Sequence, residues 1–249
     1  ALARGLGDVY KRQVHTLYDI ESQVPAFFHI TVAATSDIKV MPEIPYEKGD
    51  YIFDRGYNDF ANLYKIEQIE ATFVIRAKKN LKFKQISWKR RLPKNVLSDS
   101  TIEFVVYKSS KDYPATLRRV VYLDEEQGRE FMFLTNNFEL PASVIAELYH
   151  NRWNIELFFK WLKQHLKIKK FWGTSENAVR IQIYCAVITY CLIICVKHNM
   201  KLERSVYEIL QIVGISLTDK TNLKELFDKS NINNVNERCD SSKPSLFNF

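Results

Sequence analysis

A single carboxylate lies in the middle of a strongly basic segment. In "YHNRWNIELFFKWLKQHLK", residues 149–167, the acid is Glu156 and the cations around it are Arg152, Lys160, Lys163 and Lys167. At about 100° per residue, a continuous helix would place Tyr149, Glu156 and these cations on one face. A carboxylate in that setting can ligate a divalent metal while its cationic neighbours bind phosphates. The alternative is a solvated face on which Glu156 forms ion pairs one turn away in each direction.

Asp54 is a second acid in a position suited to chemistry. It ends the short apolar run of "YIFDRGY", residues 51–57, immediately before a turn. Functional groups of α/β sheets commonly lie at the carboxyl ends of strands. An aspartate at such a place can also serve only as a turn or helix cap. If Asp54 and Glu156 come together, the sequence predicts a divalent metal site next to a phosphate-binding surface.

Two segments together carry a resemblance to a known family. "YHNRWNIELFFKWLK" contains the pattern Y-x2-R-x3-E-x6-K, formed by Tyr149, Arg152, Glu156 and Lys163. "FDRGYNDF" is similar to the segment that carries the second catalytic aspartate of that family, here Asp54. From about residue 14 to about residue 228, the chain resembles bacterial insertion-sequence transposases of the DDE class, in the cut-and-paste group with an RNase H-like core.

The resemblance implies an enzyme that cuts and joins DNA strands at the ends of an insertion sequence. Asp54, Glu156 and a third carboxylate would hold two Mg²⁺ ions, which Mn²⁺ can replace. Tyr149 and Arg152 would grip a terminal phosphate, and Lys163 would contact the DNA backbone. The expected partners are transposon ends and target DNA, bound by a homodimer in the bacterial cytoplasm at the nucleoid, with no membrane involved.

The chain departs from this family at the first catalytic aspartate. The family places that residue on the first core strand, upstream of Val14, and the sequence contains no recognisable strand there. Asp8 lies in "GLGDVY", which does not resemble the family's strand, and Asp19 lies on the following hairpin, so neither takes the role. We therefore expect an incomplete transposase copy that is inactive by itself. The alternative is a catalytically dead DNA-binding remnant.

The hydrophobic patterns predict an α/β fold. The resemblance implies that this fold is an RNase H-like core, interrupted by a β-rich insertion, whose first strand is missing. The predicted divisions are a foreign or disordered start (1–13), the first part of the core (14–77), a β-rich insertion (78–135), the second part of the core (136–200) and a helical C-terminal region with a loose tail (201–249). One long helix is expected from Pro141 to Lys167, because proline suits the first turn of a helix. Two further helices are expected at about 175–198 and 203–214.

The charge of the chain favours an anionic partner, most simply nucleic acid. The net charge is +7 and the pI is near 9.1, and nine basic residues fall within residues 76–94. We expect Arg90 and Arg91, together with Lys160, to bind DNA phosphates. The alternative for the basic stretch is a solvated sheet edge. Trp88 can stack on an extruded base or pack in the interior.

An apolar run, "IQIYCAVITYCLIICV", covers residues 181–196. It is short for a membrane span and contains Gln182 and Thr189, so we expect a buried helix. A basic protein resting on a membrane surface is a third alternative for the function. Three of the four cysteines lie in this run and no C-x-x-C pair occurs, which favours unpaired thiols in a reducing cytosol.

Overall fold

The chain forms two compact units, residues 1–184 and residues 185–249. The computed structural model describes residues 2–5, 12–32, 34–78, 80–126, 128–166, 168, 171–173, 175–216 and 222–227. The sheet and the first four helices belong to the first unit.

Within these described residues, nine strands form one mixed sheet in the order β3-β2-β1-β4-β5-β9-β8-β7-β6. The strands are β1 (Leu2–Gly5), β2 (Arg12–Asp19), β3 (Val24–Val32), β4 (Asp50–Phe53), β5 (Thr72–Arg76), β6 (Phe83–Trp88), β7 (Val96–Phe104), β8 (Leu117–Asp124) and β9 (Arg129–Thr135). β1, β4 and β5 are mutually parallel, and every other pairing is antiparallel.

The helices of the described residues are α1 (Phe60–Gln68), α2 (Tyr107–Asp112), α3 (Ala142–His150), α4 (Trp153–His165), α5 (Glu176–Asn199) and α6 (Val206–Ile215), with short 3₁₀ helices at Asp37–Glu43 and Arg55–Tyr57. Within the first unit, α1 and α3 lie on opposite faces of the sheet. Side chains alternate along a strand, so Phe73 and Ile75 of β5 pack with α1 while Val74 faces α3. This arrangement confirms the α/β class and is consistent with an RNase H-like core.

The expectation that the first strand of the core is missing is wrong as far as the backbone is concerned, because a strand is present at that place in the sheet. Leu2–Gly5 forms β1, which pairs with β2 on one side and with β4 on the other. Four residues without a hydrophobic alternation can form a strand there because two neighbouring strand edges offer backbone donors and acceptors. The sequence of β1 contains no carboxylate, so the strand does not supply the absent acid.

A large hydrophobic core lies between the sheet and α1. Leu63 and Ile66 of α1 are buried against Phe73 and Ile75 of β5 and against Leu134 of β9. The periodic apolar positions of α1 and the alternation in β5 therefore meet as the sequence pattern requires. This packing holds the carboxyl ends of β4 and β5 in place.

The single long helix predicted between Pro141 and Lys167 is wrong, because α3 ends at His150 and α4 begins at Trp153. Asn151 and Arg152 keep right-handed helical dihedral angles. The Arg152 N–H donates to the Tyr149 carbonyl at 3.1 Å, and the Ile155 N–H donates to the Arg152 carbonyl at 3.2 Å. These bonds span three residues instead of four, so the helix tightens locally between α3 and α4. Lys167 lies outside the described residues.

The apolar face predicted for the second of these helices is confirmed. Ile155, Phe158, Phe159 and Leu162 of α4 are all buried. α3 lies over β4 and β5, and α4 lies against β1. Tyr149, which the continuous helix would have placed on the polar face, is buried instead.

A buried ion pair joins the β6–β9 part of the sheet to the segment before α3. Arg118 of β8 donates from Nε and Nη2 to the two carboxylate oxygens of Asp99 on β7, both at 2.8 Å. Its Nη1 donates to the carbonyls of Asn137 and Leu140. Burial acts to raise the pKa of Asp99, but Arg118 and Lys89 outweigh it and hold that pKa below its ordinary value.

The second unit contains the end of the apolar run and α6. Ile193, Ile209 and Phe227 form its buried cluster. Ser205 and Glu208 close a reciprocal capping box at the start of α6. The helices expected at 175–198 and 203–214 are confirmed as α5 and α6.

By length and composition α5 could cross a membrane, and in the part of the chain described it is the one helix that meets this test. The same test is passed by core helices of soluble proteins, and 39% of its most apolar stretch is buried. The helix is therefore weak evidence for a membrane.

Leu162→Ala should lower the free energy of unfolding by roughly 2–5 kcal/mol, because the side chain is fully buried and its loss leaves a cavity. Urea denaturation followed by circular dichroism measures this change. Lys163→Ala, at the next position and half exposed, is the matched control and should change the stability by less than about 0.5 kcal/mol. Equal losses in the two variants would contradict the assignment of the buried face.

Candidate active site

Asp54 leaves the sheet at the carboxyl end of β4. Ile52 and Phe53 anchor the strand in the interior, and Asp54 caps the 3₁₀ helix Arg55–Tyr57 by accepting a hydrogen bond from the Arg55 N–H at 2.7 Å. Phe53 pairs with Ile75 in the parallel register, so the residues that follow them, Asp54 and Arg76, lie side by side. The aspartate is half buried and serves as a cap as well as standing in the predicted catalytic position.

Glu156 lies in the first turn of α4, where a negative charge is favoured by the helix dipole. Its side chain is 38% exposed, and its Oε1 lies 2.8 Å from Nη1 of Arg152. The ion pair of the solvated-face alternative therefore exists, but its arginine is only 16% exposed. A half-covered pair of this kind is not an ordinary surface salt bridge.

Arg152 is the residue on which both acids act. Burial acts to lower the pKa of Arg152, but its interactions with Tyr149, Asp54 and Glu156 outweigh that effect and raise the pKa. The Nε of Arg152 is also buried and has no hydrogen-bond acceptor among the described residues. One guanidinium thus balances two carboxylates and keeps a donor unsatisfied.

Tyr149 is buried next to Arg152. Its ring packs on Phe133 with the centroids 4.7 Å apart, and the guanidinium of Arg152 lies 5.7 Å from the ring centre. Burial raises the pKa of Tyr149, and Asp54 adds to the effect, while Arg152 and Arg76 act against it. The phenol therefore stays protonated at neutral pH and remains a hydrogen-bond donor.

Sequence reasoning missed two residues of the site. Arg76 was counted only in the basic stretch, yet it ends β5 beside Asp54 and its guanidinium lies 4.6 Å from the ring centre of Phe131. Asn58 is buried and donates to the carbonyls of Arg55 and Arg76, at 2.9 and 2.8 Å. The strand register would have been needed to find either residue.

The other predicted DNA-contacting residues lie at varying distance from the two acids. Lys160 is exposed and Lys163 half exposed on α4, beyond Glu156. Arg90 and Arg91 lie exposed in the turn between β6 and β7, at the edge of the sheet. Five strand spacings separate β4 from β6, which amounts to roughly 24 Å. The fold therefore does not bring these two arginines to Asp54.

The oxygen ligands of the site fit a hard divalent cation, but the site has fewer acids than two such cations need. Asp54 and Glu156 offer carboxylate oxygens, which Mg²⁺ prefers. In the described part of the chain, no group of three or more histidine, cysteine or acidic side chains is placed to hold a metal. Asp19 accepts from Ser22 and from the Glu21 N–H in the turn after β2, and Asp8 lies outside the described residues.

Comparison with known proteins agrees with the motifs. Residues 6–192 match the family described as Transposase DDE domain. A protein of Sinorhizobium fredii described as a transposase is 36% identical over 197 residues, which cover 77% of this chain and 55% of that protein. One of Geobacillus stearothermophilus, described as a transposase for insertion sequence element IS5377, is 32% identical over 182 residues, with 73% and 48% covered.

A third protein, from Synechocystis and described as a transposase for insertion sequence element IS4SA, is 26% identical over 151 residues, with 59% of this chain and 41% of that protein covered. The chain thus spans about half the length of the curated relatives it matches.

In crystals grown with Mn²⁺, we expect the carboxylates of Asp54 and Glu156 to lie roughly 4–8 Å apart, because metals of a shared site are about 3.5–4 Å apart. Anomalous scattering from manganese locates the ion, and crystals of Asp54→Asn should lose that peak. Carboxylates more than about 15 Å apart could not share such a site and would exclude this interpretation.

Proposed function

Since this chain belongs to the DDE transposase family, we propose that it forms the catalytic part of an insertion-sequence transposase, which cleaves and transfers DNA strands at the ends of its element. Members of the family act on DNA and use divalent metal ions. The observation that carries the proposal is Arg152, on which both acids act and whose Nε donor is unsatisfied.

The two acids supply the metal ligands in this proposal. Asp54 and Glu156, with a third acid, would hold two Mg²⁺ ions, which would supply activation of an attacking hydroxyl and stabilisation of the leaving oxygen. Asn58 fixes the carbonyls of Arg55 and Arg76 and so keeps the Asp54 turn against the end of β5. The third acid that a two-metal site requires is not provided by β1.

Arg152 and Tyr149 are suited to hold a phosphate beside those ligands. A buried guanidinium N–H without an acceptor is costly, and a phosphate oxygen at Nε would remove that cost. Tyr149 lies next to Arg152, with the guanidinium 5.7 Å from its ring centre, and its protonated phenol would be a second donor to the same phosphate. This arrangement supports the phosphate-gripping roles that the family resemblance implies.

Two basic surfaces extend the proposed DNA contact. Lys160 and Lys163 continue it along α4, and Arg90 and Arg91 form a second contact at the tip of the β6–β7 hairpin. Trp88, on the same hairpin, is 62% exposed, which favours stacking on a base over packing in the interior. We infer that transposon ends and target DNA bind here, to a homodimer, at the nucleoid and without a membrane.

A catalytically dead DNA-binding remnant is the second candidate function. The observation that favours it is the composition of β1, which occupies the place of the first core strand and carries no acid. Both candidates share the basic surfaces, so DNA binding alone does not separate them.

Arg152→Ala and Lys163→Ala should each weaken DNA binding and reduce the slope of log K against log salt by about one unit, because each loses one phosphate contact. Fluorescence anisotropy at several salt concentrations measures the slope. Lys65→Ala removes an exposed charge from α1 and is the control, with an unchanged slope expected. Normal DNA binding by both variants together with early unfolding would mean that these cations are structural.

The chain should show no strand transfer with Mg²⁺ or Mn²⁺, because Asp54 and Glu156 supply only two of the acids that a two-metal site needs. A cleavage assay on cognate ends compares it with a variant in which β1 is replaced by the family's first strand and its aspartate. That variant should cut DNA, and its Asp54→Asn form should not. Metal-dependent cutting by the unaltered chain, abolished by Asp19→Ala, would contradict this expectation.

A further inference from the structure

A buried polar network lies under the turn that carries Asp54. His15 of β2 is fully buried, with Nδ1 2.9 Å from the hydroxyl of Tyr57 and Nε2 3.0 Å from Oγ1 of Thr31. Oδ1 of Asp37, at the start of the 3₁₀ helix Asp37–Glu43, lies 3.7 Å from the same Nδ1. The network joins β2, β3 and both 3₁₀ helices of the first unit.

This network touches the Asp54 turn at two points. Tyr57 is fully buried and ends the turn, and its N–H donates to the Asp54 carbonyl at 3.0 Å. At Gly56 the backbone lies so close to Asp37 that a Cβ there would overlap the Asp37 Oδ2. His15 and Asp37 therefore contact Tyr57 and Gly56, two residues of the turn that follows Asp54.

The surroundings of His15 exclude a direct chemical role. Both ring nitrogens are occupied by protein partners, and the side chain has no exposed surface that DNA could reach. A satisfied buried polar network fixes the orientation of the groups that it joins. Metal ligands have to be held within about 0.5 Å of their working geometry by the groups behind them.

We propose that His15 and Asp37 are positioning residues that fix the Asp54 turn at the carboxyl end of β4. The inference rests on the proposed function in one respect, that Asp54 is a metal ligand. His15 acts through its hydrogen bond to the hydroxyl of Tyr57, and Asp37 acts through its contact with the backbone of Gly56. Neither residue touches DNA or metal.

Hydrogen exchange measured by NMR tests the turn without any assay of activity. His15→Leu should lower the protection of the Tyr57 amide by about tenfold or more, relative to the amides of Val120 and Val121 in β8. His15→Asn, whose side-chain amide can replace Nδ1, should recover part of that protection. If the amides of the turn and of β8 lose protection equally, His15 contributes only to overall stability and the proposal is overturned.

A double-mutant cycle tests the contact between Gly56 and Asp37. Gly56→Ala should lower the protection of the Tyr57 amide and weaken Mn²⁺ binding, measured by electron paramagnetic resonance. In the Asp37→Ala background, the same change should have little further effect, because the clashing oxygen is gone. Additive effects of the two substitutions would overturn the role of Asp37.

Failure of this proposal can be told apart from failure of the proposed function. Asp54→Asn should abolish Mn²⁺ binding while leaving the protection of the Tyr57 amide within about twofold of the parent. If Mn²⁺ binding survives that substitution, the metal site is wrong and the exchange data still decide whether the turn is fixed by His15. If Mn²⁺ binding is lost in Asp54→Asn but unchanged in His15→Leu, the metal site stands and the positioning role falls.

Discussion

Asp54 and Glu156 both act on one guanidinium, that of Arg152, a residue that cannot lose its proton under ordinary conditions. Like charges repel each other more strongly as water is excluded from between them, and a cation placed near both of them offsets that repulsion. The guanidinium is bonded to one acid and lies within the field of the other. The positions of α4, of β4 and of the turn that follows β4 must all preserve this balance of charge.

The rest of the first unit can be understood as support for that arrangement. β4 and β5 run parallel and end together, which places Asp54 and Arg76 at one edge. Helices on both faces hold the sheet, and the pair of Arg118 with Asp99 ties the segment before α3 to β7 and β8. The charged site is thus supported by apolar packing and by one buried ion pair whose hydrogen bonds are satisfied.

Periodicity in the sequence predicted the elements better than their junctions. The buried face of α4 followed directly from apolar residues at helical spacing, and Ile155 and Leu162 lie where that spacing places them. The tightening at Arg152 left no mark in the pattern, because residues with right-handed dihedral angles can donate over three or four residues alike. The burial of Tyr149 was missed for the same reason.

Residues that depend on strand register were beyond the reach of local patterns. Arg76 and His15 are separated from Asp54 by 22 and 39 positions, and only the pairing of β4 with β5 and the burial of Tyr57 bring them to it. β1 was missed because its residues carry no hydrophobic alternation. Its strand form depends on neighbours that are distant in the sequence.

The first turn of α4 also limits where residues can be inserted into or deleted from the chain. One extra residue between Arg152 and Glu156 would turn the carboxylate by about 100° around the helix and move it by about 1.5 Å along the axis. The ion pair at 2.8 Å could not survive that rotation. An insertion in the turn between β8 and β9 would not rotate one member of such an ion pair relative to the other. Homologous chains should therefore keep the number of residues between Arg152 and Glu156 fixed, even where the residues themselves differ.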